Sequence, residues 1–296
     1  MGILIPNKEK NFPSYKTIDR TKKFRVIMFL FLLIPLIFLY YSVLYKMALD
    51  WWLDENYSHG FLIPVISGYI VFRNRKELFK SIENPSWWGP GLVILGIFSL
   101  IVGLLGAELF TTRLSFLITL SGVILSSFGK DFFKKVSFAV FIGIFMIPLP
   151  YMIYNSITFP LKIFATRISS FIISLFQIPV FQEGNIIHLP NLDLQVVEAC
   201  SGIRSIISLI AIGTIFAYFF QTNLFKRAFL VLISVVIAIL TNVFRITITG
   251  ILSYIIGPEI AKGFYHLFSG WALFFMGVLL LIGMNKILTL YTKEQT

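Results

Sequence analysis

Between Arg25 and Lys46 the chain runs for twenty residues without a charge, most of them Phe, Leu, Ile, Val, Met or Tyr. A stretch of that kind matches the hydrocarbon core of a bilayer, which an α-helix of about 20 residues crosses. The pattern recurs. Spans are expected near 26–48, 60–72 (short, with Trp51 and Trp52 at its start), 89–107, 112–128, 136–155, 202–221, 228–249 and 266–288, which makes eight. Inside lipid every backbone polar group must be satisfied within its own element, so the expected fold class is an all-α polytopic membrane protein. Composition agrees: 57% of the 296 residues are hydrophobic and 13% charged, where a soluble domain carries about 25% charged residues. A disordered chain, a collagen-like chain and a soluble nucleic-acid-binding domain are excluded. The bilayer is the expected partner and nucleic acid is not, so the net charge of +11 reports orientation.

Threading eight spans from a cytoplasmic N-terminus leaves 18 of the 25 Lys and Arg residues on inner segments and eight of the 14 acids outside. Both termini are therefore expected in the cytoplasm. Residues 1–23 form a basic tail, expected to be disordered, and 24–290 a single transmembrane domain. No small-residue cleavage site follows the first apolar run, which reads as an uncleaved span. The stretch 157–178 contains Lys162 and Arg167 and ends before Pro179. If it crossed, Lys226 and Arg227 would fall outside, so it is expected to lie on the outer interface as an amphipathic helix. After it, residues 180–198 alternate apolar and polar around Gly184-Asn185, the pattern of a short outer hairpin, with His188 exposed on it.

Ionisable residues in or at the edge of spans are costly and point to function. Cys200, in the run Glu198-Ala199-Cys200-Ser201-Gly202, is the only cysteine. Ser201 and Gly202 suit a tight turn into a helix, whose N-terminus favours a thiolate. Arg204, four residues on, could add to that effect. The plainer alternative is a small buried core residue. Arg245 follows Arg227 by about 27 Å of helix at 1.5 Å per residue, which puts it at the outer edge of its span. Asn242 precedes it on the same face. The alternative for Arg245 is snorkelling to headgroups. His266 opens the last span, where it could equally belong to an aromatic belt with Tyr265 and Trp271. His59 sits in Ser58-His59-Gly60 at the start of the second span. The charge-derived thread puts Cys200, Arg245 and His266 at one depth on the outer face. Cys and His make a nucleophile and its base, and a guanidinium can hold an oxyanion or a carboxylate. No metal is expected, because the lone cysteine and the three histidines are scattered. No cofactor is expected either, since no nucleotide-binding glycine motif is present.

At these residues the chain resembles the exosortase/archaeosortase family of membrane transpeptidases. Ala199-Cys200-Ser201-Gly202 matches its cysteine patch, Asn242 with Arg245 its Asn-x-x-Arg patch, and His266 followed by Ser269, Gly270 and Trp271 its histidine patch. His59, Gly60, Leu62, Ile63 and Pro64 match an N-terminal patch, and the likeness extends over roughly 50–285. The resemblance implies a reaction. Its substrates are exported proteins ending in a short motif such as Pro-Glu-Pro (the PEP-CTERM type of signal), a transmembrane helix and a basic cluster. Cys200 would attack near the motif to give a thioester, His266 would serve as acid and base, and Arg245 would stabilise the oxyanion or position the substrate. The resemblance also implies an inner membrane and an active site on its periplasmic side. Three other readings compete: a transporter or flippase, a different outer-leaflet enzyme, and a non-catalytic scaffold for exopolysaccharide export. A transporter predicts polar groups near the midplane and often a repeat between halves, and neither is found.

Overall fold

The computed structural model describes residues 15–196, 202–261 and 263–293. Ten α-helices carry nearly all of it: α1 Tyr15–Leu53, α2 Leu62–Arg73, α3 Arg75–Lys80, α4 Trp88–Leu105, α5 Leu109–Phe128, α6 Lys130–Phe141, α7 Tyr151–Leu175, α8 Ile203–Phe220, α9 Leu224–Ile255 and α10 Gly263–Lys293. Seven stretches of these are long and apolar enough to cross a membrane: Arg20–Leu53, Trp88–Leu105, Leu109–Phe128, Tyr151–Leu175, Ile203–Phe220, Leu224–Ile255 and Phe268–Leu290. Their outward faces stay apolar, as at Phe31 and Phe38, 71% and 85% exposed. A bilayer solvates such faces without cost. The chain is an all-α polytopic membrane protein.

Three expectations change. The span near 60–72 is a helix of only 12 residues, α2. The span near 136–155 is split: α6 tightens into a 3-10 turn at Ile142–Met146 and stops before Pro148 and Pro150. Proline lacks the N–H that would extend a helix, and it pushes the residue before it to extended backbone. α7 then starts at Tyr151, absorbs the expected interfacial stretch and runs 25 residues, long and apolar enough to cross. α1 begins at Tyr15, within the stretch 1–23. Lys22 Nζ donates to the carbonyls of Phe79 and Lys80 at 3.2 and 2.8 Å, at the end of α3. Arg25 donates to the Glu83 carbonyl and to Asn84 Oδ1. A cation on the last carbonyls of a helix satisfies groups the helix itself leaves open.

The described chain divides into two compact units, 1–46 with 65–144, and 47–64 with 145–296. In the first, α4 and α5 pack antiparallel through small residues. Gly89 faces Ser126, Gly96 faces Thr119 and Gly103 faces Thr112. Glycines seven residues apart share one face of a helix and let the two backbones approach closely. Glu108 caps α5 by accepting from the N–H groups of Phe110 and Thr111. Tyr40, fully buried on α1, reaches Ser115 Oγ and Thr119 Oγ1 at 3.1 and 2.8 Å.

In the second unit, α8, α9 and α10 form the core around Leu209, Leu230, Ile237 and Leu281. Close approaches fix their register. Gly213 lies against Ser234, and Gly277 against Leu209 and Ile237. At the far end Gln221 donates to Asn285 Oδ1 and Thr289 Oγ1. α8 and α10 therefore run in one direction and α9 in the other. The expected hairpin is a three-stranded antiparallel meander: β1 Phe181–Glu183, β2 Ile186–Leu189 and β3 Leu192–Gln195, in the order β1-β2-β3. Glu183 pairs with Ile186 across Gly184-Asn185, and Leu189 with Leu192 across Pro190-Asn191. Ile187, Leu189 and Val196 are buried with Ile173 of α7 and with Val243 and Ile246 of α9. The third strand covers apolar side chains that a two-stranded ribbon would leave open. His188 is half-buried rather than exposed, with Nδ1 2.7 Å from Asp193 Oδ1 and Nε2 3.6 Å from Glu183 Oε2.

Candidate active site

Cys200 and Ser201 lie outside the described residues, and so does the His266 side chain; its backbone belongs to the first turns of α10. Around them the site can be built from its neighbours. Gly202 is the N-cap of α8, with φ +81°. An L-residue adopts that conformation at a cost and glycine does not. The turn is also crowded: a β-carbon at Gly202 would sit 2.9 Å from Asn242 Cγ. Asn242 is buried. The turn that follows Cys200 in the chain is thus seated on the asparagine of the Asn-x-x-Arg patch. Sequence reasoning expected Gly202 to ease a tight turn, and it did not foresee this seat.

Arg245 lies one turn further along α9. It is half-buried, and Gly270 of α10 faces its Nη1, which would stand 3.3 Å from a β-carbon there. Gly270 in turn follows His266 by one helical turn. Three separated patches are therefore carried by one end of three adjacent helices, α8 through Gly202, α9 through Asn242 and Arg245, α10 through Gly270. The helix does not stop at Arg245. α9 continues to Ile255, about 15 Å beyond Arg245 at 1.5 Å per residue. The helix has no breaker there, and a 3-10 turn begins only at Pro258–Ala261.

The N-terminal patch begins in a strap, the 3-10 helix Glu55–Phe61, and its Leu62, Ile63 and Pro64 open α2. Asp54 caps it, accepting from the Asn56 N–H at 2.8 Å. The Trp51 indole N–H donates to the Met146 carbonyl at 2.8 Å, and Gly60 lies against that indole ring. His59 Nε2 donates to the Phe145 carbonyl at 3.2 Å. Burial lowers the His59 pKa, outweighing the raising effect of its backbone hydrogen bonds to Phe145 and Asn56. His59 is accordingly neutral at pH 7. Its unfolded value is about 6.5, so below that pH the unfolded chain takes up the proton first and stability falls until the folded histidine also protonates. Thermal unfolding in detergent should lose more stability between pH 7 and 5.5 for wild type than for His59→Gln; equal slopes would remove His59 as the cause.

Arg204, in the first turn of α8, is bound by the strap. Its Nη1 donates to Glu55 Oε2 at 2.9 Å and its Nε to Asn56 Oδ1 at 3.2 Å. The guanidinium is held by the strap. Glu55 and Asn56 carried no motif, and only their position four and three residues before His59 could have drawn attention to them.

Fold and site together define a multi-pass helical membrane protein whose motif-bearing residues gather at one end of a three-helix core. A family model described as "Transmembrane exosortase (Exosortase_EpsH)" matches residues 51–283. The chain belongs to the transmembrane exosortase family. Neither the curated proteins nor the solved structures yield a match.

Proposed function

We propose that this exosortase-family protein is a cysteine transpeptidase of the inner, cytoplasmic membrane, working at its outer, periplasmic side with both termini inside. Its substrates are exported proteins that end in a motif, a transmembrane helix and a basic tail. The observation that carries this reading is the seat of Gly202 on Asn242 together with the approach of Arg245 to Gly270. Patches far apart in sequence thereby meet on neighbouring helices. The bias of Lys and Arg toward the expected inner segments supports the orientation.

In this reading the Cys200 thiolate adds to the scissile carbonyl carbon, and the electron pair moves to oxygen. Arg245 stabilises that oxyanion. The C–N bond then breaks, and the leaving amine takes a proton from His266. An acyl thioester on Cys200 remains. An acceptor amine, deprotonated by His266, attacks the thioester and releases the thiolate; water in its place gives hydrolysis. Gly202 and Asn242 fix the turn, and His59 shapes the strap beside it. The balance needs no metal and no redox partner.

The test is co-expression with an exported reporter carrying each candidate tail from the same genome. Shortening of one reporter, lost when the motif alone is scrambled, supports the proposal. If no tail is processed, the transporter and exopolysaccharide-scaffold readings replace it.

A further inference from the structure

We infer that Glu55 and Asn56 are positioning residues for the reaction proposed above, acting through Arg204 on the start of α8. The inference rests on that reading only for its catalytic consequence; the anchoring itself is geometric. Arg204 lies in the first turn of α8. A cation there opposes the helix dipole, so its placement calls for a compensating anion. Glu55 supplies it, and the second bond, from Nε to Asn56 Oδ1, fixes the plane of the guanidinium. A two-point grip on a planar fork restrains orientation in a way one contact cannot.

The strap is itself held. Asp54 caps it, His59 ties it to Phe145, and Gly60 packs on the ring of Trp51, whose indole N–H donates to the Met146 carbonyl. α8 is thereby fixed at its first turn from two directions, by Asn242 against Gly202 and by the strap through Arg204. That turn directly follows Cys200 in the chain. The side chains of Arg204 and Glu55 are 35% and 72% exposed. An exposed ion pair adds little to global stability. Its effect is therefore local: it orders the start of α8 without setting the melting point.

The experiment compares full-length wild type, Glu55→Gln, Glu55→Arg and the swap Glu55→Arg with Arg204→Glu, all in membranes or detergent. Amide hydrogen exchange of the first two turns of α8 should speed about tenfold in Glu55→Arg and less in Glu55→Gln, and the swap should recover most of the protection. Melting temperatures should stay within a few degrees. The turnover rate on a processed reporter should fall about tenfold in Glu55→Arg, with little change in KM, and recover in the swap. Unchanged exchange in both single variants overturns the inference, as does a swap that melts like wild type yet recovers neither exchange nor turnover. If exchange responds as expected but wild type processes no reporter, the anchoring stands and the transpeptidase reading fails.

Discussion

Cys200→Ala should leave a cognate reporter at full length, with a processing rate at least about a thousandfold below wild type. Loss of a catalytic nucleophile removes the covalent route altogether, and what remains comes only from the groups around it. Arg245 and His266 would still bind and polarise the substrate, but direct attack by water at a peptide carbonyl is slow. Because residues that act as one unit are not additive, Cys200→Ala with His266→Ala should be scarcely worse than either single variant. Cys200→Ser should also be strongly impaired, since a hydroxyl is far less ionised than a thiol near neutral pH. The chain has a single cysteine, so a thiol reagent that abolishes processing must act there. Full processing by Cys200→Ala, followed on gels of the reporter, would remove the nucleophile assignment and return the scaffold reading.

The membrane class and six of the spans were legible because a charge-free run of about twenty residues has few other uses. The failures have local causes. The span near 136–155 passed on hydropathy, but two prolines two residues apart at Pro148 and Pro150 decide backbone geometry whatever the polarity around them. The third strand was missed because Leu192–Gln195 is short and only half-buried; its partner Ile187 makes sense of it only once α7 and α9 are beneath. The patches containing Cys200, Arg245 and His266 were each weak alone, and their assembly depended on helix pairing, which sequence periodicity does not report. The strap's grip on Arg204 was illegible for another reason: Glu55 and Arg204 are separated by 149 positions, and a lone exposed acid carries no signal. One further pattern stood in plain sight. Gly89, Gly96 and Gly103 repeat at the same interval as Thr112, Thr119 and Ser126, a seam readable as a close helix pair.

That seam sets the other large effect. Gly96→Ala should be strongly destabilising, and Gly96→Leu should prevent the folded protein from accumulating. A β-carbon at Gly96 would lie 2.1 Å from Thr119 Oγ1 and 2.8 Å from the Thr119 backbone nitrogen. The hydroxyl cannot simply turn away, since Thr119 Oγ1 is held by the Ser115 carbonyl at 2.8 Å and by Tyr40 at 2.8 Å. Nor can the backbone nitrogen move without α5, so α4 and α5 must separate and the contacts at Gly89 and Gly103 loosen with them. Overpacking of this kind costs about 1–3 kcal/mol and more when backbone is the obstacle. Gly91 supplies the comparison within the same helix. Nothing stands within 4 Å of a β-carbon there, and alanine is favoured over glycine in a helix by about 1 kcal/mol. Gly91→Ala should therefore unfold at or slightly above the wild-type temperature in detergent, while Gly96→Ala unfolds well below it. Equal melting of the two variants would show that α4 and α5 do not meet through this seam. A Gly96→Ala protein partly rescued by Thr119→Ala would show that they do, because that substitution removes the hydroxyl nearest the new methyl group and leaves the Thr119 backbone in place.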